Sequence, residues 1–361
     1  FIVIFFVIYT SSGFVSGGKL FSTLFGLDYT TAVLIGAFVV VFYTLTGGFM
    51  AVCWTDFIQG IMMFFAIVIV PAFAMYVMGG VETSLNAIDI VNPTFFNPFM
   101  NPDGSTISFI AFISLMGWGL GYFGQPHILV RFMAISSTSE LKRSKRIAVG
   151  WYSISMIAAV FVGMVGNVYL TEPLNGPDVE KVLLIMTEKL FDPFVGGLIL
   201  SAVLAAIMST ASSQLLVAAS AFSQDFYRSV IRQDASHTEL VWVSRAAVLI
   251  ISAMAISLAM NPNSFILEMV AYAWAGFAAT FGPAVLMSLF WRRTTRNGVL
   301  AGIVVGGVTV LVWKQLALFG LYEIIPGFFF GLLAIYIVSL LDKEPSKEIT
   351  DLFDAVERSN I

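Results

Sequence analysis

The residues best suited to chemistry in this chain carry hydroxyls and carbonyls rather than titratable groups. Between Ser201 and Gln214, Ser209 and Thr210 are adjacent and follow Ala206 by three and four positions. On a helix that spacing brings both hydroxyls beside the carbonyl of Ala206. Three neutral oxygens on one small patch suit an alkali cation such as Na⁺, with its remaining ligands coming from another helix. A site without a carboxylate also lets the ion leave readily. The run is dominated by Ala, Ser and Thr, so close packing of helices in a membrane explains its composition equally well.

A second constellation is Gly117-Trp118-Gly119-Leu120-Gly121-Tyr122-Phe123-Gly124-Gln125-Pro126, set inside a segment long and apolar enough to cross a membrane. Glycine and proline weaken or remove the intrahelical ladder, and freed backbone groups are costly in hydrocarbon unless something binds them. Such a break survives where the loose backbone faces protein, water or a solute. With Trp118 and Tyr122 a helical turn apart within it, the break points to a transporter binding site. Packing is the alternative reading of the two rings. Tyr9 sits on another small-residue helix and either lines a cavity or packs. Asp56, after Gly47-Gly48 and Trp54-Thr55, is placed to cap the helix that follows a tight turn. His127 has no second metal-ligand candidate nearby and reads as a structural histidine. Glu268 lies within an apolar stretch, a turn or so from its end, where interfacial water is in reach. No nucleophile–base pair or metal cluster appears, so an enzyme is not expected.

The elements that position these residues follow from composition. The chain is 58% hydrophobic and 11% charged, with 34 Phe and a mean hydropathy of +0.92. Soluble domains are roughly 45–50% apolar and about 25% charged, so this is an integral membrane protein. Apolar segments of about 20 residues recur ten times, over residues 2–24, 30–52, 57–78, 107–134, 147–170, 195–222, 240–260, 265–290, 299–316 and 325–341. If each crosses once, fourteen of the 18 basic residues fall on one side. Lys19, Lys181, Lys189 and Lys314 make up the other. The positive-inside rule then places the fragment's N-terminal end and the tail in the cytoplasm. Residues 1–341 form the transmembrane domain and 342–361 a cytoplasmic tail, whose final stretch reads as a short surface helix. Cys53 is the one cysteine, which excludes an intrachain disulfide. The chain begins within an apolar stretch, without Met and without a cleavable signal, and reads as lacking its N-terminal part.

These residues also carry a resemblance. Gly47-Gly48-x-x-Ala51-Val52-x-Trp54-Thr55-Asp56-x-x-Gln59 resembles the signature of the sodium:solute symporter family. The broken segment through His127-Ile128-Leu129, Met208-Ser209-Thr210, Tyr272-Ala-Trp274-Ala-Gly276-Phe277, and Trp313-Lys314-Gln315 with Gly320 to Phe328 are similar to it as well. The resemblance runs over essentially the whole chain. It implies an all-α membrane protein with the inverted-repeat fold of the leucine-transporter type, about ten of whose thirteen spans are present. The broken span would open the second repeat. The implied activity is Na⁺-coupled symport of L-proline by alternating access, with Na⁺ as coupling ion, no other cofactor and no nucleic-acid partner. The setting implied is the lipid bilayer of a bacterial inner membrane, with the oligomeric state left open.

Carried over by position, Ala206, Ser209 and Thr210 would hold Na⁺. Tyr9, Trp118, Tyr122 and Pro126 would shape the solute site, while Asp56, Gly117, Gly119, Gly121 and Gly124 would serve coupling or gating. Glu268 departs from the pattern and is assigned no role. The absent first spans would supply further Na⁺ ligands, so the fragment alone is not expected to transport. A symporter for another small solute and a symporter-like sensory membrane domain are the alternatives.

Overall fold

The computed structural model describes residues 1–358, without the side chains of residues 47–49 and 51. Among the described residues the fold is helical, and its only β feature is an isolated bridge between Met100 and Thr106. The helices are α1 (Ile2–Phe25), α2 (Tyr29–Val77), α3 (Val81–Val91), α4 (Phe109–Met116), α5 (Pro126–Met133), α6 (Thr138–Tyr169), α7 (Val182–Leu190), α8 (Pro193–Ser220), α9 (His237–Ala259), α10 (Ile266–Phe290), α11 (Arg296–Leu316), α12 (Ile324–Leu341) and α13 (Lys347–Arg358). Short polar residues start several of them. Asp28 accepts a hydrogen bond from the Thr31 amide, Asp192 from Phe194 and Val195, Ser236 from Glu239, and Thr295 from Gly298. Each supplies an acceptor that the first helical turn lacks.

Nine helical segments among the described residues are long and apolar enough to span a membrane. Two of them lie within α2, Tyr29–Thr46 and Val52–Val77. The Tyr43 hydroxyl nevertheless meets the Thr55 hydroxyl. Twelve residues of continuous helix would separate these positions by about 18 Å, which the two side chains cannot bridge. The chain therefore reverses between them, and α2 comprises the two spans expected from sequence. The tight turn assigned to Gly47-Gly48 falls where side chains lie outside the described residues. The remaining expected span is the broken one. There α4 gives way to a 3₁₀ stretch, Gly117–Phe123, before α5 begins at Pro126. Two boundaries differ from expectation by about two helical turns. The fifth span, expected from residue 147, begins at Thr138. The sixth, expected to end at residue 222, continues past Ser220 as π-helix over Ala221–Ile231, where the last apolar residues are followed by a polar stretch whose backbone still forms a helical ladder.

The chain divides into two compact units. The larger comprises Phe6–Ile107 and Arg143–Met269. Small residues let its helices approach closely. A Cβ on Gly18 would lie 2.5 Å from Val33 Cγ2, one on Gly17 would lie 3.8 Å from the Gly36 Cα, and one on Gly13 would lie 3.5 Å from the Ala211 Cβ. Val70, Ala74, Ile88, Val165 and Met186 form a fully buried cluster. At one end, the buried Lys19 ammonium lies 2.6 Å from Glu180 Oε2 and donates to the Ser264 carbonyl at 3.0 Å. The Tyr29 hydroxyl, from the first turn of α2, donates to the Ala259 carbonyl at the end of α9 at 2.9 Å. Thr10 pairs with Gln214 further along, and Gly13 faces Ala211, so α1 and α8 run antiparallel. Phe38, Phe42, Phe57 and Phe65 are each more than half exposed, an apolar surface suited to lipid rather than water.

The smaller unit comprises Phe1–Phe5, Ser108–Lys142 and Val270–Ile361. Here α11 and α12 pack through glycine. A Cβ on Gly302 would lie 2.2 Å from Ile335 Cγ1, and one on Gly306 would lie 2.0 Å from the Ala279 carbonyl. Pro283 inside α10 has no N–H to give that carbonyl. Gly306 therefore admits close backbone contact where the α10 ladder is interrupted. The Arg292 guanidinium grips Asp354 of α13 with two hydrogen bonds, at 2.7 and 3.0 Å. This holds α13 against the α10–α11 connection.

Candidate functional site

In the larger unit, the small-residue stretch of α8 presents an almost continuous series of hydroxyls. Ser209 Oγ donates to the Ala206 carbonyl at 3.1 Å, one of the two bonds expected from the spacing. Thr210, a residue further round the helix, lies on an exposed face. Ser212 Oγ donates to the Ser209 carbonyl at 3.2 Å. Ser213 Oγ donates to Asp56 Oδ2 at 3.1 Å, so Asp56 meets α8 one turn beyond Ser209. The sequence offered no signal for that contact beyond the excess of serine on α8.

Tyr9 is half-buried on α1, and its carbonyl accepts from Ser12 Oγ at 2.6 Å. The next residue, Thr10, is fully buried and donates to Gln214 Oε1 at 3.2 Å. Tyr9 and the α8 oxygens thus belong to one helix pair. The chemistry here is that of neutral oxygen donors with one carboxylate close by. Turning the Ser209 proton away from the Ala206 carbonyl would free lone pairs on both oxygens for one cation, at the cost of a single hydrogen bond, about 0.5–1.5 kcal/mol.

In the smaller unit, the broken helix is laid against α10. Trp118 stacks on Trp274 with ring centroids 5.5 Å apart and planes 18° apart. Tyr122 meets the same indole edge-on at 5.2 Å and 85°. The Trp274 N–H donates to the Trp118 carbonyl at 3.1 Å. Trp274 is 6% exposed, whereas Tyr122 is 38% exposed and Trp118 half-buried.

Three of the four glycines are positions of contact. A Cβ would meet Trp274 Nε1 at 1.5 Å from Gly121, the Phe277 carbonyl at 2.3 Å from Gly124, and Ile324 Cγ2 at 2.9 Å from Gly117. Gly119 has nothing within 4 Å. Pro126 takes the first position of α5, where its missing N–H is harmless. His127 is half-buried beside it on α5, and no cluster suited to a metal ion surrounds it among the described residues.

The partner that sequence reasoning missed is Trp274. Its signal was present in the aromatic run of α10, but nothing local says which of Tyr272, Trp274 and Phe277 faces the break. The connection between α11 and α12 supports the same assembly. The Tyr322 amide donates to Ser114 Oγ at 3.1 Å and its hydroxyl to the Ala271 carbonyl at 2.6 Å. Burial, and then the charge of Glu323, pushes that phenol well above its ordinary pKa, so it stays a donor at any physiological pH.

The model of the sodium:solute symporter family matches residues 1–306. The chain is 48% identical over 355 residues to the high-affinity proline transporter PutP of Bacillus subtilis (strain 168), covering 98% of this chain and 74% of that protein. It is 46% identical over 357 residues to the sodium/proline symporter of Escherichia coli (strain K12), covering 98% and 70%. Among solved structures it is similar to a Na⁺-coupled sialic acid symporter in its substrate-bound outward-open state. That match has a TM-score of 0.76 and 18% identity and covers 96% of this chain and 75% of that one. At that identity the likeness is one of fold.

Proposed function

Since the chain belongs to the sodium:solute symporter family, we propose that it serves a secondary transporter that carries L-proline together with Na⁺ by alternating access. Its fold is the leucine-transporter type of all-α membrane protein, and its relatives are transporters rather than enzymes. The two relatives named above support proline as the solute. The observation that carries the reading is the oxygen patch of α8, with Ser209 Oγ 3.1 Å from the Ala206 carbonyl. Neutral oxygens bind a hard monovalent cation without holding it irreversibly, as a coupling ion requires. Ala206, Ser209 and Thr210 hold Na⁺, and Asp56 assists coupling through its contact with this helix.

Tyr9, Trp118, Tyr122 and Pro126 contact the solute. Proline combines an apolar ring with a cationic secondary ammonium, and aromatic faces suit both, the second by cation–π attraction of about 0.5–2 kcal/mol. For one Na⁺ per zwitterion, a potential of 100 mV supplies about 2.3 kcal/mol. At about 1.4 kcal/mol per factor of ten, the potential alone sustains accumulation on the order of 40-fold. Residues 1–341 lie in a bacterial inner membrane and residues 342–361 in the cytoplasm, a reading supported by the excess of Lys and Arg among the connections expected on that side.

The test is Na⁺-dependent uptake of labelled proline by the full-length protein carrying Ser209→Ala or Thr210→Ala. The Na⁺ concentration for half-maximal uptake should rise at least fivefold, while proline affinity at saturating Na⁺ changes little. Unchanged Na⁺ dependence in both variants returns α8 to simple packing.

A further inference from the structure

We infer that Trp274 is a positioning residue for solute recognition, acting through Trp118 and Tyr122 rather than by touching the solute. The inference rests on the reading above that those two rings face the solute. Trp274 meets the broken helix through a stacked ring contact, an edge-on ring contact and its N–H. Its ring stacks on Trp118 and receives the edge contact of Tyr122. Its N–H donates at 3.1 Å to the Trp118 carbonyl, within the 3₁₀ stretch where hydrogen-bond geometry is poorer than in an α-helix.

The fit is steric as well. At Gly121 a Cβ would lie 1.5, 2.1 and 2.4 Å from three atoms of the indole, so the backbone of the break passes directly over the ring. One turn along α10, the Phe277 carbonyl would lie 2.3 Å from a Cβ on Gly124. Gly121 and Gly124 therefore admit α10, one to its side chain and the other to its backbone. The Trp274 carbonyl, finally, lies 3.5 Å from the amide nitrogen of the fully buried Gln125.

At 6% exposure, Trp274 offers little surface to a ligand. What it controls is where the rings of Trp118 and Tyr122 stand. Side-chain stacking fixes the ring planes, and the indole N–H fixes the carbonyl of Trp118, hence the direction in which that side chain leaves the backbone. A residue of this kind tunes solute affinity while leaving the ion site of the larger unit alone.

The experiment measures labelled-proline uptake by the full-length transporter at matched membrane levels. Trp274→Phe keeps a ring but loses the N–H, and should raise KM for proline three- to tenfold. Vmax and the Na⁺ concentration for half-maximal uptake should both stay within twofold. Trp274→Leu should raise KM more than tenfold. Gly121→Ala should also raise KM, and combining it with Trp274→Leu should do no further harm, because leucine vacates the space that the new methyl group needs.

An unchanged KM in both Trp274 variants overturns the inference, as does a double variant whose losses simply add. A readout independent of the solute's identity accompanies these. Thiol labelling of Leu120→Cys, with Cys53→Ser and no solute present, should quicken severalfold when Trp274 is replaced. An unchanged rate overturns the inference whatever the protein carries. Wild-type protein that fails to accumulate proline, by contrast, refutes the proposed substrate and leaves the labelling result to decide the role of Trp274.

Discussion

Removing Glu180 should damage the fold more than removing its ionic partner Lys19, although the two share one ion pair. Lys19 is 3% exposed, and its ammonium has three acceptors: Glu180 Oε2 at 2.6 Å and the carbonyls of Ser264 and Pro177 at 3.0 and 3.3 Å. Glu180 has a second task. Its two oxygens accept from the amides of Ile266 and Leu267, both at 3.0 Å, the first two residues of α10. It thus caps a helix from a distant part of the chain.

Glu180→Ala leaves a buried ammonium without its counter-charge, at about 3–5 kcal/mol, and uncaps α10, at about 0.5–2 kcal/mol more. Lys19→Met leaves a carboxylate that keeps two amide donors and a favourable position at a helix N-terminus. Its cost should be about 1–3 kcal/mol. Lys19→Met with Glu180→Gln removes both charges and keeps an amide oxygen for the cap, so it should recover most of the loss.

The assay is the temperature at which half the purified protein loses its monodisperse size-exclusion peak after a fixed heating time, since unfolding of such proteins is governed by rate. At about 2–4 °C per kcal/mol, Glu180→Ala should fall by about 10 °C and Lys19→Met by about a third of that. Equal losses in the single variants, or a double variant as unstable as Glu180→Ala, would refute the argument.

The glycines of the break should differ sharply. Gly119→Ala meets open space and should keep uptake within twofold, whereas Gly124→Ala drives a methyl group toward the Phe277 backbone and should cut uptake more than tenfold. Asp56→Asn keeps an oxygen for Ser213 but loses the charge beside α8. Uptake as a function of Na⁺ should show a higher half-saturating concentration, with proline affinity at saturating Na⁺ little altered. The Arg292 hydrogen bonds hold the Asp354 carboxyl below the usual carboxylate range. A depressed folded pKa contributes binding above the ordinary value, about 3.9, and loses it as pH falls through the lowered one. Spin labels at Asn297 and Glu357 should therefore report α13 docked at an unchanged distance from pH 8 to 5 and released only in stronger acid. Arg292→Ala should release it throughout.

Much of this molecule was legible before any coordinates. Helix length and class followed from apolar runs, because a backbone in hydrocarbon has few ways to satisfy its hydrogen bonds. The break at residues 117–125 followed from glycine and proline, whose effects are local. The bond from Ser209 to Ala206 followed from helical spacing alone. The presence of two spans within α2 was legible from the apolar runs over residues 30–52 and 57–78, and the contact between Tyr43 and Thr55 supports it.

Contacts between distant segments were not legible. Sequence grouped Gly117, Gly119, Gly121 and Gly124 together for coupling or gating, without distinguishing the three where α10 or α12 presses on the backbone from Gly119, which is open. It proposed equal bonds from Ser209 and Thr210, yet Thr210 lies on an exposed face. It did not single out Trp274 as the ring beneath the break, Ser213 as the partner of Asp56, or Glu180 as the link between Lys19 and α10. The sequence by itself determined which segments span the membrane, where the backbone must break and which oxygens share a helix face, since each depends on interactions within a few residues. Which face of one helix meets which face of another depends on the packing of segments more than two hundred residues apart in sequence, such as Thr10 and Gln214. Only the tertiary structure decided that.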